Sequence, residues 1–455
     1  AHIKDLGVSH VELLPIFDFA SVDETYPIFN WGYDPQNYNV PEGSYSSKPT
    51  NPTSRITELK SAVQSMHDVG LRVNMDVVYN HVFSASSFSE QKLVPDYFFR
   101  MDSNGNLTNG SGCGNDVASE RPMVRKFIVD SVKYWATQYH LDGFRFDLMG
   151  LMDIKTISEV RAELNKIDPT ILMIGEGWNM GTLPDDQRAS QVNISQIPGV
   201  AVFNDQIRDG IKGSVFDSAD TGYATGKVSA MNDVKVGIVG NVDFAHGLLP
   251  KWSTGAPGQS VNYVEAHDNL TLADKLNASS KNKVPSVIAS IDRLSGSIAI
   301  LAQGTPFMQA GQEFLRSKSG DSNSYQSGDA VNSLKWNLLK ANSATASYYK
   351  GLLTLRKSHP AFRMATAAEV KKNLTFIAEP KSVIAYSLNG SAVKDAWSSI
   401  VVLHNPNTAP ITAKLPSSRK WNVVVNGTKA GTSVLSTVTG ASVTVPALST
   451  LVVEG

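Results

Sequence analysis

Residues 71–81 read LRVNMDVVYNH, an apolar run rich in β-branched residues that turns polar at its end. The run Leu71–Val78 predicts a buried strand, and the segment Asp76–His81 carries its polar end. The same arrangement recurs over the first 360 residues, where short apolar runs alternate with longer helical patterns. Strands that alternate with helices are typical of parallel βαβ units.

Seven such runs predict the strands of a parallel sheet. They are Ser9–Phe17, Leu71–Val78, Asp142–Phe146, Ile171–Ile174, Gly199–Phe203, Val261–Glu265 and Thr305–Ala310. Seven strands over this length fit an α/β fold of the (β/α)8 TIM-type barrel better than a doubly wound sheet. Because the chain opens in a helical pattern capped by Gly7, we expect the first barrel strand to be missing from it. We therefore expect residues 1–455 alone to be poorly soluble or inactive, since an incomplete barrel exposes two strand edges.

The pattern changes after the helix predicted over Tyr348–Ser358. Short alternating runs separated by Asn-Gly and Pro turns are typical of an antiparallel β-sandwich. The runs are Leu374–Ala378, Val383–Leu388, Ile400–His404, Trp421–Val425 and Ser442–Val445. We therefore predict two domains, a catalytic barrel over residues 1–363 and a β-sandwich over residues 364–455.

The composition excludes several classes of partner. The 455 residues include 41 basic and 42 acidic side chains, for a net charge of −1. This balance favours neither a nucleic-acid nor an anionic-membrane partner. Apolar runs such as Ile298–Ala302 are far shorter than the ~20 residues of a membrane span. Cys113 is the sole cysteine, so neither an intrachain disulfide nor a cysteine-rich metal site is expected.

Reactive residues of a parallel barrel belong at the carboxyl ends of its strands. Four predicted strand ends turn polar there, and each carries a carboxylate. They are Asp76–His81, Gly143–Asp147, Ile174–Asn179 and Glu265–Asn269.

Two of these carboxylates lie in different predicted environments. Arg145 and Asp147 are two residues apart on a strand, so they share a face, and the guanidinium should keep Asp147 ionised. Glu176 lies between Gly175 and Gly177 beside Trp178, and apolar surroundings would favour its protonated form. An ionised nucleophile beside a proton donor is the combination that glycoside hydrolysis requires.

Further polar residues complete the predicted site. Asp268 could bind sugar hydroxyls or stabilise positive charge at the anomeric carbon, and His81 and His267 are suited to bind hydroxyls. Asp76 lies deeper in its strand, which favours a structural role near the site. Asp329 follows the last strand, where it either reaches the sugar on the donor side or caps a helix.

Structural alternatives remain open for most of these residues. An Arg-x-Asp pair is often a structural ion pair, and a histidine at a strand end is often a core residue. Trp31 could serve as a sugar platform or as part of the core. The occurrence of four polar segments at successive strand ends favours a catalytic site.

The four segments DVVYNH, GFRFDLMG, IGEGWN and VEAHDN resemble the signature segments of the α-amylase family of glycoside hydrolases. Residues 29–35, FNWGYDP, resemble the YNWGYDP motif of the type I pullulanases, with Phe29 in place of the first tyrosine. Residues 112–122, GCGNDVASERP, resemble another segment of that group. The resemblance extends over essentially the whole chain.

The resemblance implies a retaining hydrolase that cleaves α-1,6-glucosidic branch linkages in pullulan, amylopectin and related α-glucans. Asp147 matches the nucleophile, Glu176 the general acid/base and Asp268 the transition-state stabiliser. The remaining matches all bind substrate: His81, Arg145 and His267 around the cleaved glucose, Tyr33 beneath it, and Trp178 on the acceptor side.

The resemblance also implies the cofactors, partners and location. The chemistry requires no cofactor and no catalytic metal, although some relatives bind a structural calcium through scattered oxygens. The expected partner is an α-glucan, with carbohydrate-binding modules upstream in the same protein. A polar, weakly charged composition and the family together suggest secretion from a bacterial cell.

Two kinds of alternative function remain. One is another α-amylase-family activity, that of an isoamylase, a neopullulanase or an α-1,4-cleaving amylase, which the NWGYDP segment and Trp178 disfavour. The other is a non-catalytic glucan-binding subunit of the same fold. Such proteins usually lack one of the carboxylates, whereas Asp147, Glu176 and Asp268 are all present.

Overall fold

The computed structural model describes residues 1–244, 247–378, 380 and 382–455. The chain divides into two compact units. The first unit comprises residues 8–203 and 325–328, and the second comprises residues 1–7, 204–324 and 329–455. No helix in the described part of the chain is long and apolar enough to cross a membrane.

Strands and helices alternate up to about residue 360, and strands dominate thereafter. The strands are β1 His10–Leu13, β2 Phe17–Phe19, β3 Pro35–Pro41, β4 Arg72–Val77, β5 Gly143–Phe146, β6 Leu172–Gly175, β7 Ala201–Phe203, β8 Ser260–Asn262, β9 Thr305–Pro306, β10 Leu374–Ile377, β11 Ile384–Asn389, β12 Ser399–Asn405, β13 Ile411–Asn426, β14 Ser436–Val445 and β15 Ser449–Glu454. The α-helices are α1 His2–Leu6, α2 Pro52–Asp68, α3 Ser89–Leu93, α4 Pro122–Gln138, α5 Ile154–Ile167, α6 Asp205–Lys212, α7 Met231–Ile238, α8 Leu272–Ser279, α9 Pro285–Leu301, α10 Asp329–Asn332, α11 Trp336–Ala341, α12 Ser343–Ser358 and α13 Ala367–Asn373.

The first unit is built on parallel strands in the order β1, β4, β5, β6, β7. The strands β4 and β5 are buried on both faces, and Val73, Met75, Phe144 and Phe146 have no exposed surface. Burial of both faces explains why these strands appear in the sequence as continuous apolar runs rather than alternating ones. Five of the seven predicted strands are therefore confirmed here.

Side-chain caps fix where the helices of the first unit begin. Asn51 accepts a hydrogen bond from the backbone of Thr53 and is followed by a proline at the first turn of α2. Asp153 accepts a hydrogen bond from the backbone of Thr156 at the start of α5. Both caps satisfy backbone donors that the helix itself leaves unpaired.

The second unit contains the remaining two predicted parallel strands and the β-rich part of the chain. The strands β8 and β9 pair in parallel. The later strands form an antiparallel sheet in the order β10, β11, β12, β15, β13, β14. The predicted antiparallel region is thus confirmed, and its strands belong to one hydrogen-bonded sheet. The boundary predicted at residues 363/364 falls inside the second unit and stays a prediction.

An apolar cluster on this sheet forms a core of its own. It includes Val401, Leu403, Trp421 and Val453, each at most 3% exposed in the described structure. The alternation of buried and exposed residues along β13 matches the period of two of a strand with one buried face.

We expect Leu403→Ala to lower the free energy of unfolding by about 2–5 kcal/mol, because it leaves a cavity in this core. Leu249→Ala is the matched control in the same unit, since Leu249 is 74% exposed. That surface substitution should change stability by less than about 0.5 kcal/mol. Denaturant unfolding of both variants measures the difference, and equal values would contradict the assignment of Leu403 to a packed core.

Candidate active site

Backbone pairing brings the predicted strand ends of the first unit together. Asp76 on β4 lies opposite Arg145 on β5 in the parallel register. Beyond the strands the ladder continues: the amide of Asp147 donates to the carbonyl of Val77 at 3.0 Å. The amide of Glu176 likewise donates to the carbonyl of Phe146 at 3.0 Å. These bonds place Asp147 and Glu176 at adjacent strand ends.

The guanidinium of Arg145 binds three carboxylates. Its Nη1 lies 2.9 Å from both carboxylate oxygens of Asp76 and 3.0 Å from Oδ1 of Asp147. Its Nη2 lies 2.9 Å from Oε1 of Glu176. Arg145 is 3% exposed, so these contacts form in a buried setting, where charge interactions are strong. The predicted contact between Arg145 and Asp147 is confirmed.

The prediction for the surroundings of Glu176 is wrong in one respect. We expected apolar surroundings, but Glu176 forms an ion pair with Arg145. Its other oxygen, Oε2, accepts a hydrogen bond from the backbone of Leu148 at 3.0 Å. Leu148 has φ 39°, a left-handed conformation that is unusual for a leucine. Neither contact could be read from the residues flanking Glu176 in the sequence.

Burial and charge shift the pKa values in this cluster. Burial lowers the pKa of Arg145, but the charges of Asp76, Glu176 and Asp147 outweigh it and raise the pKa well above its ordinary value. Burial also raises the pKa of Asp76 well above its usual range; the charge of Arg145 opposes this rise, and the charges of Asp147 and Glu12 add to it. Arg145 therefore stays charged, while Asp76 resists losing its proton. The structural position predicted for Asp76 matches its 1% exposure.

Tyr33 lies against the same arginine. Its hydroxyl donates to Oδ2 of Asp76 at 2.6 Å, and the guanidinium carbon of Arg145 is 5.6 Å from the ring centroid. Gly32 has φ 88°, and a Cβ at this position would lie 2.8 Å from Phe19, so the turn requires glycine. Trp31 is 6% exposed and packs edge-to-face on Tyr33, which supports the core alternative for Trp31.

Asn80 is a site residue that our sequence analysis missed. Its Nδ2 donates to Oδ2 and to the backbone carbonyl of Asp147, both at 2.8 Å. Its Oδ1 lies 2.6 Å from Nδ1 of His81, whose Nε2 lies 2.9 Å from the carbonyl of Tyr33. A sugar hydroxyl would therefore have to replace a protein partner of His81. The position of Asn80 next to His81, at a polar strand end, is the feature of the sequence that could have indicated a role in the site.

Trp178 is placed by close backbone packing. A Cβ on Gly150 would lie 1.9 Å from the carbonyl oxygen of Trp178, so only glycine allows this approach. The amide of Gly150 also donates to the carbonyl of Glu176 at 3.1 Å. The first unit thus brings together the predicted residues Tyr33, Asp76, His81, Arg145, Asp147, Glu176 and Trp178.

The other predicted site residues belong to the second unit. Nε2 of His267 lies 3.7 Å from Oδ2 of Asp268, and the Asp268 side chain is 47% exposed. Asp329 is exposed and is the first residue of α10, which agrees with the helix-start alternative. The roles of these three residues stay predictions.

Comparison with known proteins identifies the family. The pullulanase of Bacillus subtilis (strain 168) is 43% identical over 427 residues, which are 93% of this chain and 59% of that protein. The chain belongs to the pullulanase family. The model of the pullulanase all-beta domain matches residues 370–429.

Solved structures of pullulanases share the fold of the whole chain. The pullulanase of Paenibacillus barengoltzii in complex with maltohexaose and α-cyclodextrin has a TM-score of 0.95 at 44% identity, covering 100% of this chain and 70% of that one. The type I pullulanase of Bacillus subtilis str. 168 in complex with maltose has a TM-score of 0.96 at 41% identity, and the match covers 100% of this chain and 64% of that one. The predicted fold class, a (β/α)8 barrel followed by an antiparallel β domain, is confirmed. The chain spans about 59% of the length of the curated relative from B. subtilis.

One carboxylate cluster in the first unit of this pullulanase-family chain has the residue types of a calcium site. Among the described residues, Asp18, Glu24 and Glu42 place carboxylate oxygens within 4.8 Å of one another. Glu24, however, is paired with the guanidinium of Arg55, and Glu42 accepts hydrogen bonds from two backbone amides. Calcium takes six to eight oxygen ligands, and the positive charge of Arg55 next to the same oxygens would repel it. The cluster does not fit calcium, and a structural calcium stays a prediction without an assigned site.

We expect Gly150→Ala to lower kcat/KM at least about 10-fold, because a displacement of about 1 Å at reacting groups can cost two orders of magnitude. The added Cβ would displace the backbone of Trp178 and with it Glu176. Gly258→Ala is the matched control, because a Cβ there meets no atom within 4 Å. Steady-state kinetics on pullulan, the substrate proposed for this site, measure the effect, and unchanged kinetics in both variants would contradict it.

We expect Glu12→Gln to stabilise the protein more at pH 8 than at pH 5. Burial raises the pKa of Glu12 from 4.5 to about 7, and its Oε2 has no hydrogen-bond partner among the described residues. Between pH 4.5 and about 7 the native state therefore retains a proton that the unfolded state has lost. The free energy of unfolding consequently falls as the pH rises through this range. Glutamine removes this dependence, because it mimics the protonated acid.

Denaturant unfolding of wild type and Glu12→Gln at the two pH values measures this effect. Glu159→Gln is the control, because Glu159 is exposed on α5. An equal gain in stability at both pH values would contradict the burial of the Glu12 carboxyl group.

Proposed function

We propose that this chain carries the catalytic site of a retaining glycoside hydrolase that cleaves α-1,6-glucosidic branch linkages. The substrates would be pullulan, amylopectin and related α-glucans. The observation that carries the proposal is the pair Asp147 and Glu176 bound to one buried guanidinium. Two carboxyl groups on one guanidinium lie at the same place in the fold, and a retaining mechanism requires them about 5–5.5 Å apart.

The proposed reaction has two displacements. Glu176 gives its proton to the glycosidic oxygen while Asp147 attacks the anomeric carbon, so the bond to the leaving sugar breaks as the covalent glucosyl ester forms. Glu176, now a carboxylate, takes a proton from water, and the resulting hydroxide attacks the same carbon and releases Asp147. Two inversions retain the anomeric configuration.

The charge balance of the cluster suits this chemistry. Arg145 binds all three acids, and with protons on Asp76 and on the acid Glu176 the carboxylate of Asp147 balances its charge. The negative charge of Asp147 stabilises the positive charge that develops at the anomeric carbon in the oxocarbenium-like transition state. We propose Asp268 as a further carboxylate that stabilises this state. Asn80 supports the attack by holding Oδ2 of Asp147.

Substrate recognition is proposed from aromatic and hydroxyl-binding side chains. The ring of Tyr33, held by Asp76, would support the sugar that is cleaved, and Trp178 would contact the acceptor side. His81, Arg145, His267 and Asp329 are proposed to bind hydroxyls. Structures of pullulanase relatives in complex with maltose and maltohexaose support binding of an α-glucan here.

We further propose that the protein acts outside a bacterial cell, needs no cofactor for the chemistry, and contains carbohydrate-binding modules beyond this chain. These proposals rest on the family and on the low content of charged residues, 18%. Detection of the enzyme in culture medium tests the location. Activity that persists after treatment with a chelator tests the independence of the chemistry from metal.

The main alternative is a different linkage preference. A debranching enzyme should release maltotriose from pullulan and leave linear amylose almost intact. An isoamylase, a neopullulanase or an α-1,4-amylase would give a different product pattern. Product analysis on both polymers distinguishes these activities.

We expect Asp147→Asn to lower kcat on pullulan by at least about 10³-fold, because the amide cannot form the glycosyl ester. Glucan affinity should change by less than about fivefold, since the side chain keeps its shape. The matched control is Asp186→Asn, an exposed aspartate of the same unit, which should keep full turnover. Retained turnover in Asp147→Asn would exclude Asp147 as the nucleophile, and lost turnover with lost binding would indicate misfolding.

A further inference from the structure

Lys318 is a buried lysine next to the loop that carries Asp268. It is 1% exposed and lies in the second unit, as do His267 and Asp268. Its Nζ donates to the backbone carbonyl of His267 at 2.8 Å. That carbonyl belongs to the peptide group joining His267 to Asp268, so the lysine binds the backbone immediately before the carboxylate.

The lysine is itself held firmly. Oδ2 of Asp274 accepts hydrogen bonds from the backbone amides of Lys318 at 2.8 Å and Gly320 at 3.2 Å. Oδ1 of the same carboxylate accepts from the hydroxyl of Ser317 at 2.5 Å. Asp274 lies in the first turn of α8, which begins three residues after Asn269. Through its backbone amide and its Nζ, Lys318 therefore connects the start of α8 to the peptide group before Asp268.

The loop between Glu265 and Leu272 carries Asp268 and needs such support between its ends. Its two ends are joined by a hydrogen bond, which Oε2 of Glu265 accepts from the amide of Leu272 at 2.7 Å. Between these points Asn269 has φ 63°, a left-handed conformation that costs free energy in a residue other than glycine. The Asp268 side chain is 47% exposed, so backbone anchoring has to supply much of its orientation. Burial lowers the pKa of Lys318, and the charges of Glu265 and Asp268 oppose this decrease.

We propose that Lys318 is a positioning residue, which fixes the carboxylate of Asp268 for transition-state stabilisation by binding the His267 carbonyl. This inference rests on the proposed function, since it takes Asp268 as the stabilising carboxylate. Lys318 does not act on substrate. Its removal should leave binding of the ground state intact and weaken interactions made only in the transition state.

The test measures kcat and KM in the protein at its full natural length, with pullulan and with α-maltotriosyl fluoride. Fluoride leaves without protonation, so rates on this substrate do not depend on the acid Glu176. We expect Lys318→Met to lower kcat about 10- to 100-fold, the range for a small misplacement of a catalytic group. The KM should stay within about threefold. Lys318→Arg, which keeps a cationic donor, should recover part of the loss.

A double-mutant cycle separates positioning from a general structural role. In an Asp268→Asn background, Lys318→Met should lower kcat on the fluoride by less than about twofold, because its effect operates through Asp268. Additive losses would overturn the proposal, as would an unchanged kcat in the folded single variant. If Lys318→Met does not fold, Lys318→Gln, which keeps a neutral donor, replaces it in the same cycle.

Lys275→Met controls for the loss of a buried ammonium. Lys275 is 1% exposed in the same unit, and its Nζ donates to the carbonyls of Ser214 and Ser218 at 2.9 and 3.3 Å. The Lys275→Met variant shows how far the loss of a buried ammonium group lowers the unfolding temperature. If the decrease in kcat of Lys318→Met only follows the decrease in folded protein, the proposal is overturned.

The failure of this inference and that of the proposed function are distinguishable. A wild-type protein inactive on both substrates would overturn the proposed function. An active wild type with full turnover in folded Lys318→Met would overturn the positioning role alone.

Discussion

The buried guanidinium of Arg145 is the group on which the candidate site depends. It binds Asp76, Asp147 and Glu176, three acids that would otherwise be buried together without a counter-charge. Mutual repulsion among such acids would push protons onto them or push their side chains apart. With the guanidinium in place, the three acids can lie side by side at the strand ends.

The parallel sheet supplies the geometry that this ion cluster needs. Hydrogen bonds continue past the strands to the amides of Asp147 and Glu176, so the backbone itself fixes both residues. Because side chains alternate along a strand, Arg145 and Asp147 share a face, and the register brings Asp76 opposite Arg145. The chemistry thus arises where regular structure ends, on a rigid support.

Loops complete the arrangement through close contacts. Tyr33 reaches Asp76 because Gly32 permits a left-handed turn, and Trp178 approaches Gly150 at a distance that excludes any side chain. In the second unit Lys318 positions a site residue in a comparable way, because it binds the peptide group next to Asp268. In each case the contact joins two segments that are distant in the sequence.

The sequence by itself determined the apolar strands of both regions and the polar residues at the strand ends. Apolar runs such as Leu71–Val78 and Asp142–Phe146 reveal their burial directly, and Asp147, Glu176 and Arg145 follow from where those runs end. Only the tertiary structure decided the partners. The ion pair of Glu176 with Arg145, the bond of Asn80 to Asp147 and the left-handed Leu148 depend on contacts between segments far apart in the chain. Local patterns encode burial and backbone preference, whereas the partners of a side chain are set by packing between segments that sequence periodicity does not connect.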